Sequence, residues 1–314
     1  MGWYDRKTCV EAEPGASGVA WRARKRPLCS AAASSGFSMT ISATTAIDPV
    51  FTAGDLADGD FTWTRPDAGT FTGKAPAGEN FNDVGKYTVT CTDWSKVLWF
   101  SCTGDTVTAL DVSAATALTQ LHCSSNALTE LDISANTALQ ILSCQVNSLT
   151  ALNVSLNTAL TYLHCESNSL TALDVSTNVA LTDLRCNHNT LGTLDVSTNV
   201  LLEDLVCNNA GLTALDLSTN TVLDNLYCPS NSLSTLDVST NVLMATLECQ
   251  DNGMTEAGVD AILAALVANG VTNGTLWIGG TNAAPSDPAG WDDFDTLEGE
   301  PQTWGIGDIG PRPA

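Results

Sequence analysis

Eight cysteines, Cys102, Cys123, Cys144, Cys165, Cys186, Cys207, Cys228 and Cys249, recur at an unbroken step of 21 residues. A period this strict outweighs chain length as a guide to fold, because stacked repeats grow along one axis and not around one globular core. The blocks around the cysteines are copies of one another. "LTYLHCESNSLTALDVSTNVA" is followed at once by "LTDLRCNHNTLGTLDVSTNVL", and the series spans residues 97–254 in eight turns.

Each turn holds two similar halves, L-x-x-L-x-C-x-x-N-x and L-x-x-L-D-V-S-x-N-x-x. In both, apolar positions alternate briefly and stop at an Asn, the pattern of a short strand and a bend, twice per turn. Leu121, Cys123 and their equivalents face inward, and His122 and its equivalents face out. A bend leaves backbone groups that no strand ladder satisfies, and a buried Asn can donate to one turn and accept from another. That accounts for one Asn column running from Asn126 to Asn252 and a second from Asn136 to Asn241. The first column lapses at Ala210, where Asn208 and Asn209 are the candidate substitutes.

The pattern resembles the leucine-rich repeat family, whose L-x-x-L-x-L-x-x-N-x-L core is matched with Cys in place of the third Leu. The doubled form is similar to the short 21-residue class found mainly in bacterial and phage-associated proteins. The resemblance implies a repeat solenoid, a right-handed coil with parallel β-strands on two sides, that binds protein or glycan ligands without catalysis.

An array of this kind needs closed ends. Residues 39–96 read as a small β cap, in which "DVGKYTVTC" is similar to the last strand of a PKD or immunoglobulin-like sandwich. Residues 1–38 read as a disordered leader or a non-native upstream segment, with the true start at Met1 or Met39. Within residues 255–278, Thr255 caps a helix that turns Val259, Ile262, Leu263 and Leu266 to one side and stops at Gly270, and "GTLWIGG" adds a strand. Residues 279–314 read as an irregular tail. All eight tryptophans lie outside residues 102–276, which suits bulky end closure.

Thirty-five acidic residues against 12 basic ones give a net charge of −23, and Arg185 is the only base from Val97 to Trp304. Such a body repels phosphate, which excludes nucleic acid as a partner, and no apolar run is long enough for membrane insertion. In-register thiols point in parallel, so neither disulfides nor a tetrahedral zinc site is expected, and no metal or cofactor is implied. The outward column Asp111, Asp132, Asn153, Asp174, Asp195, Asp216, Asp237 lacks a calcium-roll pattern. Adjacent Thr and Ser hydroxyls or backbone amides are its expected partners, although repulsion along the column raises the affinity for protons or calcium.

What fails to recur is more informative. Just before each Cys stand His122, His164, Arg185 and Tyr227 in otherwise regular turns, and two residues earlier stand Tyr162 and Asp183. Folding alone does not require this variety, and Tyr and Arg are common interface anchors. His122, Tyr162, His164, Asp183, Arg185, His188 and Tyr227 are therefore the candidate ligand-binding residues of a recognition or adhesion protein, secreted, on a cell surface or on a virion. The alternative is a structural spacer with assembly partners at its caps. An enzyme is not expected: Asp183 and Asp204 could pair as acid and base in glycoside cleavage, but nothing distinguishes them among so many acids. The interrupted Thr columns likewise give little support to ice binding.

Overall fold

The computed structural model describes residues 93–299 apart from Asp105, Val271 and residues 287–288, together with Gly305–Gly307 and seven short strands before residue 92. The chain forms two units, Met1–Ala159 and Leu160–Ala314.

In the first unit, Val97–Ser101, Gln120–His122 and Ile141–Ser143 stack as parallel strands, with Trp99, Gln120 and Ile141 in register. Val50–Ala53 adds to Val97–Ser101 as an antiparallel edge. A separate sheet runs Thr70–Phe71, Phe61–Thr64, Gly85–Cys91, Phe37–Ile41, Val107–Asp111. The cap therefore borrows a strand from the first repeat. It also begins before residue 39, because Phe37–Ile41 crosses that boundary. The leader is not wholly without structure either: Val10–Ala12 and Trp21–Ala23 pair antiparallel. The rest of residues 1–38 lies outside the described residues.

In the second unit, Tyr162–His164, Asp183–Arg185, Asp204–Val206, Asn225–Tyr227 and Thr246–Glu248 form a parallel ladder, extended by Thr275–Trp277 and Gly305–Gly307. In the strands from Gln120–His122 to Thr246–Glu248 the central Leu and the Cys two residues on are completely buried, as the alternation requires. Burial raises the thiol of Cys186 to about 12 and lifts Cys123, Cys207 and Cys228 well above the ordinary range, so these side chains pack as small neutral hydrophobes.

Strands on the second side of each turn do not form as the sequence implies. Among the described residues, that side shows only Val107–Asp111 and a single parallel bridge, Asp111 to Asp132. Side chains take the backbone groups a ladder needs. Asn147 Oδ1 accepts the Leu128 N–H at 3.0 Å, Asn189 does the same for Leu170 at 2.9 Å, and Asn231 for Leu212 at 2.9 Å. Each column Asp closes on the N–H of the serine two residues on, at 2.9 Å in Asp174, Asp195, Asp216 and Asp237.

The first Asn column works in both directions: Asn147 also donates to Cys123 O in the preceding turn and Cys144 O in its own. The second column only donates. Asn220 Nδ2 bonds Val196 O at 3.1 Å and Asn199 O at 2.8 Å, and the oxygens of Asn136, Asn199, Asn220 and Asn241 accept nothing among the described residues. At the lapse, Ala210 is itself buried, Asn208 reaches outward to His188, and Asn209 takes up a left-handed backbone, so neither neighbour restores the missing carboxamide.

Helix α1, Glu256–Asn269, starts at Thr255, whose side chain accepts the Gly258 N–H, and stops at Gly270 in the left-handed conformation. It buries Val259, Ile262, Leu263 and Leu266. Its last residue continues the second Asn column, since Asn269 Nδ2 donates to Val238 O at 3.1 Å. Asn282 continues the first, donating to Cys249 O at 2.9 Å and accepting from Met254 N at 3.0 Å. The segment expected to be an irregular tail thus supplies a repeat-forming Asn. It also forms helix α2, Ala289–Glu298, because Trp291, Phe294 and Leu297, three residues apart, make one buried stripe.

A second column runs beside the first Asn column. Thr106, Ser125, Val146, Ser167, His188, Asn209, Ser230 and Asp251 all carry φ between 51° and 59°. For a β-branched residue this is strained, and Val146 is half exposed, so packing gives little back. Val146→Asn should raise stability by about 0.5–1 kcal/mol in chemical denaturation; an unchanged or lower midpoint would contradict this. Asn220→Ala, which strips two buried carbonyls of their donor, should cost about 2–4 kcal/mol in the same experiment.

Candidate binding face

The parallel ladder of the second unit presents its outward side chains in two columns. One reads His164, Arg185, Val206, Tyr227, Glu248, and the other Tyr162, Asp183, Asp204, Asn225, Thr246, adjacent members being register partners. The backbone beneath is fixed by the strand ladder and by the Asn side chains next to it, so these residues stand on a rigid base.

Three of the expected residues meet. Asp183 is the centre of a charged cluster: its Oδ1 lies 3.2 Å from His164 Nε2 and accepts the Arg185 Nε–H at 3.2 Å, and its Oδ2 accepts from Arg185 Nη2 at 3.2 Å. It is not an open outward acid, being only 6% exposed, because the imidazole and guanidinium lie over it. Burial works to raise the Asp183 pKa, but the hydrogen bonds and charges of His164 and Arg185 outweigh it and hold the carboxyl below its ordinary value. The same bond raises Arg185. The remaining guanidinium surface is open, with 45% of that side chain exposed. Tyr162, the register partner of Asp183, is 43% exposed beside it.

Asp204 is tied to the next turn, accepting from Asn225 Nδ2 at 2.7 Å. Tyr227 lies further along in the Arg185 column. His188 is not on a strand. It occupies the left-handed bend position, exposed, with Nε2 3.4 Å from Asn208 Nδ2. His122 belongs to the first unit, where its ring lies 5.7 Å from that of Trp99.

One residue of the face escaped the repeat pattern. Trp277 is in register with Glu248, extending the Arg185 and Tyr227 column by one strand, and is 43% exposed. It does not close the end of the array, unlike Trp291, which is buried. Setting "GTLWIGG" beneath the repeats with Leu276 under Leu247 would have found it.

On the other side of the turns the Asp column is structural. Asp132, Asp174, Asp195 and Asp237 are bonded by the hydroxyl and the backbone N–H of Ser134, Ser176, Ser197 and Ser239, which lower their pKa. Repulsion along the column opposes this for Asp195 and Asp237 but does not reverse it, so the expected tendency towards protonation is absent.

The repeat fold has counterparts among solved structures. The functional domain of InlJ from Listeria monocytogenes, described as including a cysteine ladder, aligns with a TM-score of 0.56 and 30% sequence identity, over 69% of this chain and 50% of that one. The chain folds as a leucine-rich repeat protein. The leucine-rich repeat protein LIC12759 of Leptospira interrogans shares the fold, with a TM-score of 0.51 and 17% identity over 62% of this chain and 56% of its own. This leucine-rich repeat chain spans about half the length of these structures. No family model and no curated protein matches the sequence.

The cluster should show in the pH dependence of stability. A carboxyl held low in the folded state contributes stability that is complete above its unfolded pKa of about 3.9 and is lost as pH falls through the folded value. Arg185→Ala should therefore lower the denaturation midpoint at neutral pH, with the gap to wild type closing below about pH 4. A gap that does not change with pH would contradict the assignment.

Proposed function

We propose that this leucine-rich repeat chain is a non-catalytic recognition protein, and that the outward face of the second-unit ladder, centred on Tyr162, His164, Asp183 and Arg185 and reaching Tyr227 and Trp277, holds a protein ligand. One observation carries the reading: the least regular positions of the repeat fall on this face, while Leu, Cys, Asn and Asp columns elsewhere each have a structural task. The face combines a fixed backbone, a guanidinium oriented by a buried carboxylate, and exposed aromatic rings, features that reduce the entropy lost on binding. Leucine-rich repeat relatives such as the InlJ domain support a binding scaffold.

A glycan is the competing ligand on the same face, since exposed Tyr and Trp rings also stack on sugars. A position outside the cell, as a secreted, surface or virion protein, goes with this reading. Among the described residues no helix is long and apolar enough to cross a membrane.

The test is capture on protein and glycan arrays by the full chain, followed by the double variant Tyr162→Ala/Arg185→Ala. Loss of a protein ligand by about tenfold or more, with the repeat fold retained by circular dichroism, is the expected result. A ligand held equally well by the double variant would reject the face, and capture of glycans alone would reject the protein class.

A further inference from the structure

A second surface of the second unit carries a signal of its own. Val179, Val200, Leu201, Val242 and Leu243 are 47–54% exposed. They occupy the two central positions of tight turns that begin at the buried Asn of the second column. Leu181 N bonds Asn178 O at 3.1 Å, Leu202 N bonds Asn199 O at 3.0 Å, and Met244 N bonds Asn241 O at 3.1 Å. Such positions ordinarily carry Gly, Asn, Asp, Ser or Pro.

The fold does not require apolar residues here. In the first unit the same turns, closed by Leu118 N to Ala115 O at 3.1 Å and Leu139 N to Asn136 O at 3.1 Å, hold Thr116-Ala117 and Thr137-Ala138. In the second unit the pairs are Val179-Ala180, Val200-Leu201, Thr221-Val222 and Val242-Leu243. One turn lies above another at about 4.8 Å, so the exposed Val and Leu side chains line up as an apolar ridge roughly 14 Å long, interrupted at Thr221. Exposed apolar surface bordered by polar groups marks an interaction site.

The border specifies the partner. Along the chain the four turns are preceded by Asp174, Asp195, Asp216 and Asp237, and two of them are followed by Glu203 and Asp224. None of these carboxylates forms an ion pair among the described residues. A second copy would bring like charge to this rim, and neither α1 nor α2 carries a base. The complementary shape is an α-helix laid along the ridge, whose turns repeat every 5.4 Å and so stay within about 2 Å of the ridge spacing over three steps. We infer that the ridge docks a cationic amphipathic helix of a partner protein, about 12 residues long, with an apolar stripe on Val200, Leu201, Val242 and Leu243 and Lys or Arg against the flanking carboxylates.

The probe is a synthetic 14-residue helix with leucines at i, i+3, i+4 and i+7 positions and lysines elsewhere, with a matched peptide carrying glutamates in place of lysines. Fluorescence anisotropy measures binding to the chain and to the variant V200T/L201A/V242T/L243A, which installs the Thr-Ala pair already tolerated in the first unit. The lysine peptide should bind the chain and lose about tenfold or more in affinity for the variant. Tyr162→Ala/Arg185→Ala should leave this binding unchanged, so the ridge stands or falls apart from the strand face. Equal binding by the ridge variant, equal binding of the glutamate peptide, or a wild-type dimer in sedimentation that the ridge variant dissolves would each overturn the proposal, the last by making the ridge a contact between copies.

Discussion

The buried Asn carboxamide is the interaction on which the rest of this structure depends. A coil of 21 residues per turn with three-residue strands leaves much of its backbone in bends, and buried bends without partners cost more than the short strands return. Asn resolves this because one small side chain offers two donors and an acceptor. Asn189 reaches Cys165 O in the preceding turn and Cys186 O in its own, and takes the N–H of Leu170. Successive turns are joined by side chains where strands do not join them.

That division of labour explains why positions differ so much in freedom. Leu, Cys and Asn fill the interior, and Asp, or Asn at 153, closes on the serine beyond it, so these columns vary little. Strand residues pointing outward and the central residues of tight turns have no such task. They can hold a His, Arg and Asp cluster in one place and a Val-Leu ridge in another without altering the coil. Both candidate surfaces are consequences of a scaffold supported from inside.

The repeat, its inward columns and helix α1 were legible because strict periodicity places each residue type by spacing alone. The leucine-rich repeat resemblance followed from the same spacing. What was not legible involved groups whose partners are distant in sequence or whose context is irregular. The second-side strands were expected from alternation, but alternation does not show that Asn147 Oδ1 takes the Leu128 N–H. Asp183 stood among many acids, and only its side-chain contacts with His164 and Arg185 bury it. The repeat role of Asn269 and Asn282 was hidden because a helix and a Gly-rich loop replace the usual spacing, and α2 because its buried stripe sits in an acidic, Gly- and Pro-bearing segment.

The most direct measurement is hydrogen exchange of the Asn side-chain amides by NMR. If the columns hold the turns together, the Nδ2 protons of Asn199, Asn220 and Asn241 exchange only with global unfolding, at rates that follow denaturant as the core strand amides do. Exchange as fast as that of a surface carboxamide, in a chain whose strands remain protected, would show that the coil does not rest on these side chains.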